Sequence, residues 1–138
     1  MNREIRPAAL QAPMAAYAHG VLVESPTRWV HTCGVVAKAG DGTIPETVAG
    51  QLDVIWDNIR IILAEAGMGI PDIVSMTTWL VENPRESVLH GPVDDRLAVV
   101  MRKRDEVMAG HKPASAIVTC PVLARPDWRV EIAVIAAQ

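Results

Sequence analysis

The stretch ETVAGQLDVIWDNIRIILAEAGMGIPDIV, residues 46–74, decides how the rest of the chain is read. Val48, Leu52, Ile55, Ile59, Ile62, Leu63 and Ala66 recur along it at helical spacing and make one apolar stripe. Thr43 and Glu46 match a capping box, and Pro45 is tolerated in a first helical turn because its missing N–H has no partner there. Gly67 is placed to end the helix in a left-handed conformation. Beyond it, residues 72–81 are β-branched and alternate in polarity, which predicts a strand.

Working outward, residues 18–23 and 28–36 are β-rich runs separated by Ser25-Pro26-Thr27, so they are expected to form a hairpin. Period-2 alternation would put Trp29, His31, Cys33 and Val35 on one face of the second run. A loop through Asn83-Pro84 to Gly91-Pro92 precedes a second helix over 93–109, with Val93, Leu97, Val100, Met101 and Met108 on one side. Asp94 and Asp95 suit its first turn, Gly110 closes it, and Arg102-Lys103-Arg104 reads as solvated surface. Two last strands, 114–122 and 128–136, flank Arg125-Pro126-Asp127. The order ββαβαββ, with room for a short strand at 3–8, predicts one α+β domain over residues 1–138. Its mixed, mostly antiparallel sheet would carry two helices on one face. Val118, Val130, Ile132 and Val134 suggest that the other face is apolar as well, and its burial by association predicts a closed oligomer.

Bulk composition narrows the function classes. A chain of 138 residues that is half apolar suits one globular domain. Phe is absent and Tyr17 is the single tyrosine, so the core must be aliphatic, with Met and Trp filling gaps. A net charge of -3 argues against nucleic acid as a partner. No 18-residue apolar run exists to span a membrane, and Met1 to Arg6 lacks the apolar core of a signal peptide. Cys33 and Cys120 form no CxxC pair. A cytoplasmic protein with reduced thiols is the expectation. His19, His31, His90 and His111 show no ligand spacing, so no metal is expected.

Four short segments carry a resemblance. Ala16-Tyr17-Ala18-His19-Gly20-Val21, Thr32-Cys33-Gly34-Val35, Pro113-Ala114-Ser115 and Val130-Glu131-Ile132 accompany the helix motif from Gln51 to Gly67. Together they resemble the RidA/YjgF family, whose fold is chorismate-mutase-like. Against its motifs, Ala16 and His19 depart from Pro-Tyr-Ser/Val-Gln, Cys33 and Val35 from Thr-Ser-Gly-Gln, and Ser115 from Pro-Ala-Arg. The segment between the 72–81 strand and the second helix is also longer than the family's.

The resemblance implies a homotrimer with clefts between subunits, no cofactor, and hydrolytic deamination of a small enamine or imine metabolite of aminoacrylate or aminomuconate type. In the family's deaminases the arginine grips the substrate carboxylate and the glutamate helps activate water. Carried over, the expected catalytic residues are Glu131, Tyr17 and Cys33. Ser115, Ile117, His19 and Arg28 would bind substrate. Ser115 cannot replace a guanidinium, whose charged hydrogen bonds contribute roughly 1.5–3 kcal/mol each. Arg28, Arg125 and Arg129, at or beside strand ends, are candidate substitutes. Two other classes compete: a binding or regulatory trimer without turnover, and a thiol-dependent hydrolase or redox sensor built on Cys33.

Overall fold

The computed structural model describes residues 2–138. In chain order the elements are β1 (Asn2–Ile5), β2 (Gly20–Val23), β3 (Trp29–His31), β4 (Val35–Val36), α1 (Val48–Glu65), β5 (Ile73–Val81), α2 (Pro84–His90), α3 (Val93–Met108), β6 (Ala114–Cys120) and β7 (Val130–Ala137). This is an α+β fold. β1 and β2 pair as a two-stranded antiparallel sheet, and the larger sheet runs β3-β7-β5-β6, with β4 also on β7. β5 and β6 are parallel and joined through α3, as a parallel pair requires a long crossover, while β7 is antiparallel to β3, β4 and β5.

α1 forms as its pattern predicts but starts differently. Thr47 caps it, its hydroxyl accepting from the Gly50 N–H at 3.0 Å. Thr43 instead bonds Asp41 in a turn, and Pro45 precedes the helix. At the other end Gly67 has φ +68°, and the Met68 N–H reaches back to Leu63 O.

The expected hairpin of β2 and β3 does not form, because each finds another partner: β2 takes β1, and β3 lines up on β7. The shared face of Trp29, His31, Cys33 and Val35 is also broken. His31 pairs with Ile135 and Val35 with Ile132, so four steps on one strand (35 − 31) face three on the other (135 − 132). The extra residue is a bulge. It leaves His31 on the sheet face away from the helices and turns Val35 into the core. Thr32 stabilises the irregularity, its hydroxyl accepting from the Val134 N–H and donating to Cys33 O.

Residues 83–91, expected as loop, hold α2. Asn83 Oδ1 accepts from the Glu86 N–H and Asn83 Nδ2 donates to Pro121 O. Asn-Pro-x-Glu is itself a helix-start signature. In α3 the buried row is Arg96, Val100, Arg104 and Met108. Arg104 is 3% exposed, correcting its assignment to a solvated face. Arg96 donates to Gly91 O and Val81 O and pairs with Glu82.

The even-numbered positions Met76, Thr78, Leu80, Val130, Ile132 and Val134 are buried beneath the helices. Three of the four positions offered for a second apolar face therefore lie on the first. Val118, 45% exposed, is on the open face with Ala116, Trp79, Ala133 and Ile135.

Gln51 is fully buried in α1 and fastens the helix to the β6–β7 connection. Its amide donates to Pro45 O and Asp127 O, at 2.9 and 2.8 Å, and its carbonyl accepts from the Arg129 N–H at 2.8 Å. Replacing Gln51 by Met keeps the volume and leaves these backbone groups unpaired. Urea unfolding of Gln51→Met should show a loss of about 3 kcal/mol. A loss under about 1 kcal/mol would mean the three groups find other partners.

Candidate functional site

Tyr17, His19 and Ser115 come together because the segment around Ala18 docks on the outer edge of β6. The Ala18 N–H donates to Pro113 O at 3.0 Å, forming a parallel bridge with Ala114. A cleft of about 300 Å³ opens there, lined by Tyr17, His19, Ser75, Thr77, Ser115 and their neighbours. Its polar groups are hydroxyls and an imidazole. Ser115 Oγ is buried and has no hydrogen-bond partner, and Ser115 pairs with Met76, so its side chain alternates with those of Ser75 and Thr77. Ser75 and Thr77 were not anticipated here. Their signal is a pair of hydroxyls two residues apart on a largely apolar strand, which puts both on one face.

Glu131 is elsewhere. It pairs with Val36 on β4 and lies opposite Trp79, on the open face of the sheet. Its carboxylate lies directly over Gly34: a Cβ added at Gly34 would come within 1.6 Å of Glu131 Oε1 and 2.5 Å of Cδ. Gly34 is thus a glycine because the Glu131 side chain occupies the space of its missing side chain. Ser115 pairs with Met76 on the helix-side face, whereas Glu131 pairs with Trp79 on the open one. The two rows are three residues apart along β5, roughly 10 Å at strand rise. One chain therefore does not bring Ser115 and Glu131 into a common cleft.

The remaining expected residues separate further. Cys33 is exposed and borders a different depression, with Lys38, Asn58 and Ile61. His19 belongs to the Tyr17 cleft, and His31 lies before the bulge, so neither histidine shares that depression. Ile117 packs against the core under the helices. Arg28 holds the end of α1, donating to Ala66 O at 2.9 Å and to Gln138 Oε1. That is a favourable place for a cation, and it is away from the Tyr17 cleft. Arg129 donates to Glu46 O and pairs with Glu86, while Arg125 lies over the Trp128 ring at 5.8 Å. Burial pushes the Cys120 thiol up, and the charge of Glu131 adds to the shift. Among the described residues, no group of three or more His, Cys, Asp or Glu is arranged to hold a metal, and no helix is long and apolar enough to cross a membrane.

Comparison with known proteins agrees with this arrangement of elements. No curated protein matches the chain. A Rid-family protein of unknown function from Yersinia pestis superposes with a TM-score of 0.81 at 22% identity, over 99% of this chain and 98% of that one. A YjgF-family protein from Neisseria meningitidis is 28% identical, with a TM-score of 0.63 over 88% and 87% of the two chains. Escherichia coli TdcF, solved with bound serine, gives 0.67 at 21% identity over 99% and 98%. The family model described as Endoribonuclease L-PSP matches residues 8–138, and with it the chain belongs to that family, the RidA/YjgF proteins.

Proposed function

We propose that the protein hydrolyses a small enamine or imine, without a cofactor, in clefts formed between the subunits of a homotrimer. The observation that carries this reading is the Glu131 carboxylate held over Gly34 on an uncovered sheet face. A carboxylate so placed can orient water. The exposed apolar positions around it, Val118 among them, favour association of that face with another copy. Association would bring the Tyr17–Ser115 cleft of one subunit against the Glu131 face of its neighbour. TdcF, with its bound serine, supports a fold able to take a molecule of amino-acid size.

The chemistry follows from the groups present. An enamine tautomerises to an imine, and a proton on its nitrogen makes the carbon electrophilic. Water oriented by Glu131 attacks that carbon and gives up a proton, first to the carboxylate. The resulting carbinolamine receives a proton on nitrogen and collapses to a carbonyl compound and ammonia. Tyr17, Ser75 and Thr77 would position the substrate by neutral hydrogen bonds, because among the described residues no lysine or arginine lines their cleft. The lack of a lining cation also favours a second reading, a trimer that binds a metabolite without turning it over. Ribonuclease activity, suggested by the family's descriptive name, fits poorly with a net charge of -3 and a cleft without cations.

Ammonia release from imines generated in place should accelerate on adding the protein, and Glu131→Gln should lower that acceleration at least about 100-fold. No acceleration with any enamine or imine, in a well-formed trimer, would overturn the deaminase reading and favour the binding one. Gly34→Ala should fold with little loss, because the long Glu131 side chain can swing away from the new methyl group. It should nonetheless reduce turnover nearly as far as Glu131→Gln, and the double variant should be no worse than either alone. Additive losses would separate Gly34 from Glu131. Co-refolding Tyr17→Phe with Glu131→Gln in equal amounts should restore about a quarter of the wild-type rate, since a quarter of neighbouring pairs then hold both intact halves. No recovery would place both residues in the cleft of one chain.

A further inference from the structure

Between α2 and the β6–β7 connection lies a pocket of about 160 Å³, separate from the Tyr17 cleft and from Glu131. Asn83, Arg85, Glu86, Pro121, Arg125 and Trp128 border it. Asn83 is already committed, to the Glu86 N–H and to Pro121 O. Two other polar groups are not. Glu86 is 4% exposed, yet its Oε2 has no hydrogen-bond partner, and its Oε1 is 3.6 Å from Arg129 Nη1. The Trp128 indole N–H is also buried without a partner. A buried carboxylate oxygen and a buried N–H left unpaired are each costly, and such pairs of orphans are uncommon in a native fold. At the rim, Arg125 lies over the Trp128 ring, and Arg85 makes no ion pair among the described residues.

The pattern is that of a receptor for both charges of one small molecule. The carboxylate oxygen needs a donor, best a cationic one. The indole N–H needs an acceptor, and the Arg125 guanidinium lies over the same ring. Arg125 pairs with Asp127 and Arg129 with Glu86, which leaves the charge of Arg85 over for an anionic group. The volume corresponds to about five waters of liquid, enough for a molecule of the size of glycine or alanine.

We propose that this pocket binds a small α-amino acid, its ammonium on Glu86 Oε2 and its carboxylate on the Trp128 N–H with Arg125 or Arg85. The site is distinct from the one proposed for deamination. It depends on α2, the segment that the family resemblance marks as longer than usual.

The test is a titration of the oligomer as purified with L-alanine, followed by the ¹⁵N-indole resonances of the four tryptophans, with Trp128 assigned from Trp128→Phe. The Trp128 signal should shift saturably, and acetate and methylammonium should each bind at least about tenfold more weakly than alanine. Glu86→Gln should weaken alanine by about tenfold or more. Absence of a saturable shift would mean that the two orphan groups are merely hydrated. Equal binding of acetate and alanine would reduce the site to an anion contact at the arginines. Binding that survives Glu86→Gln would place the ammonium elsewhere. If Glu86→Gln does not fold, alanine against alaninamide and acetate on the unaltered protein decides the matter. An alaninamide as tight as alanine would remove the carboxylate contact and overturn the proposal.

Discussion

The antiparallel register of β5 on β7 is the constraint to which every other placement in the molecule answers. Pairing Met76 with Val134, Thr78 with Ile132 and Leu80 with Val130 sends one alternate set of side chains under the helices. Trp79, Glu131, Ala133 and Ile135 then face the other way. A slip of one residue would exchange the sets, burying the Glu131 charge and exposing the aliphatic core. The cost of that exchange makes the register unique. Gln51 reinforces it from the helix side, because its bonds to Asp127 O and the Arg129 N–H fix the entry into β7. The helix stripe, the sheet faces and the position of the Glu131 carboxylate are consequences of a single alignment.

Much of this was legible in sequence, for reasons that differ by element. α1 and β5 are long and strongly periodic, so local pattern and tertiary packing agree, and Gly67 ends α1 as its position suggests; α3 was legible as a helix, though not in its buried row. Strand partners were not legible. The runs around β2 and β3 both read as strands, but a short turn signal between them cannot reveal that β1 and β7 offer better pairings. The bulge at 32–34 was hidden for a similar reason: alternation assumes an unbroken ladder, and nothing local announces an extra residue. α2 was missed although Asn83, Pro84 and Glu86 spell out a helix start, because proline and asparagine weigh equally as loop formers. Arg104 was misplaced because charge is an unreliable guide to exposure in a helix whose buried row includes two arginines.

The candidate site shows the limit of reading residues one at a time. Resemblance pointed to Tyr17, Ser115, Cys33 and Glu131 as one group. The strand register instead places Ser115 and Glu131 on opposite faces, the bulge carries Cys33 to a depression beside α1, and Arg28 anchors a helix end. Sequence supplies the inventory of a site. Which members share a cleft depends on pairing, and here, on the proposed reading, also on a second copy of the chain. The same holds for position 115, where a serine borders the cleft while its Oγ is buried on the other side of the strand.

β7 is the last strand in sequence and lies inside the sheet, between β3 with β4 on one side and β5 on the other. The earlier strands therefore have no shared template until it arrives. During synthesis α1 and the β5–α3–β6 unit can organise locally, but β3 and β4 must wait, their backbone groups unpaired and open to other chains. Closure depends on contacts of large sequence separation, such as the Asn2 side chain on Ala137 O and the Thr27 N–H on Gln138 O. Such contacts come at a high entropic cost and slow the final step of folding. By topology the chain is a zip whose slider is its last strand, and mispairing would act most readily on β3 and β4 before β7 reaches them.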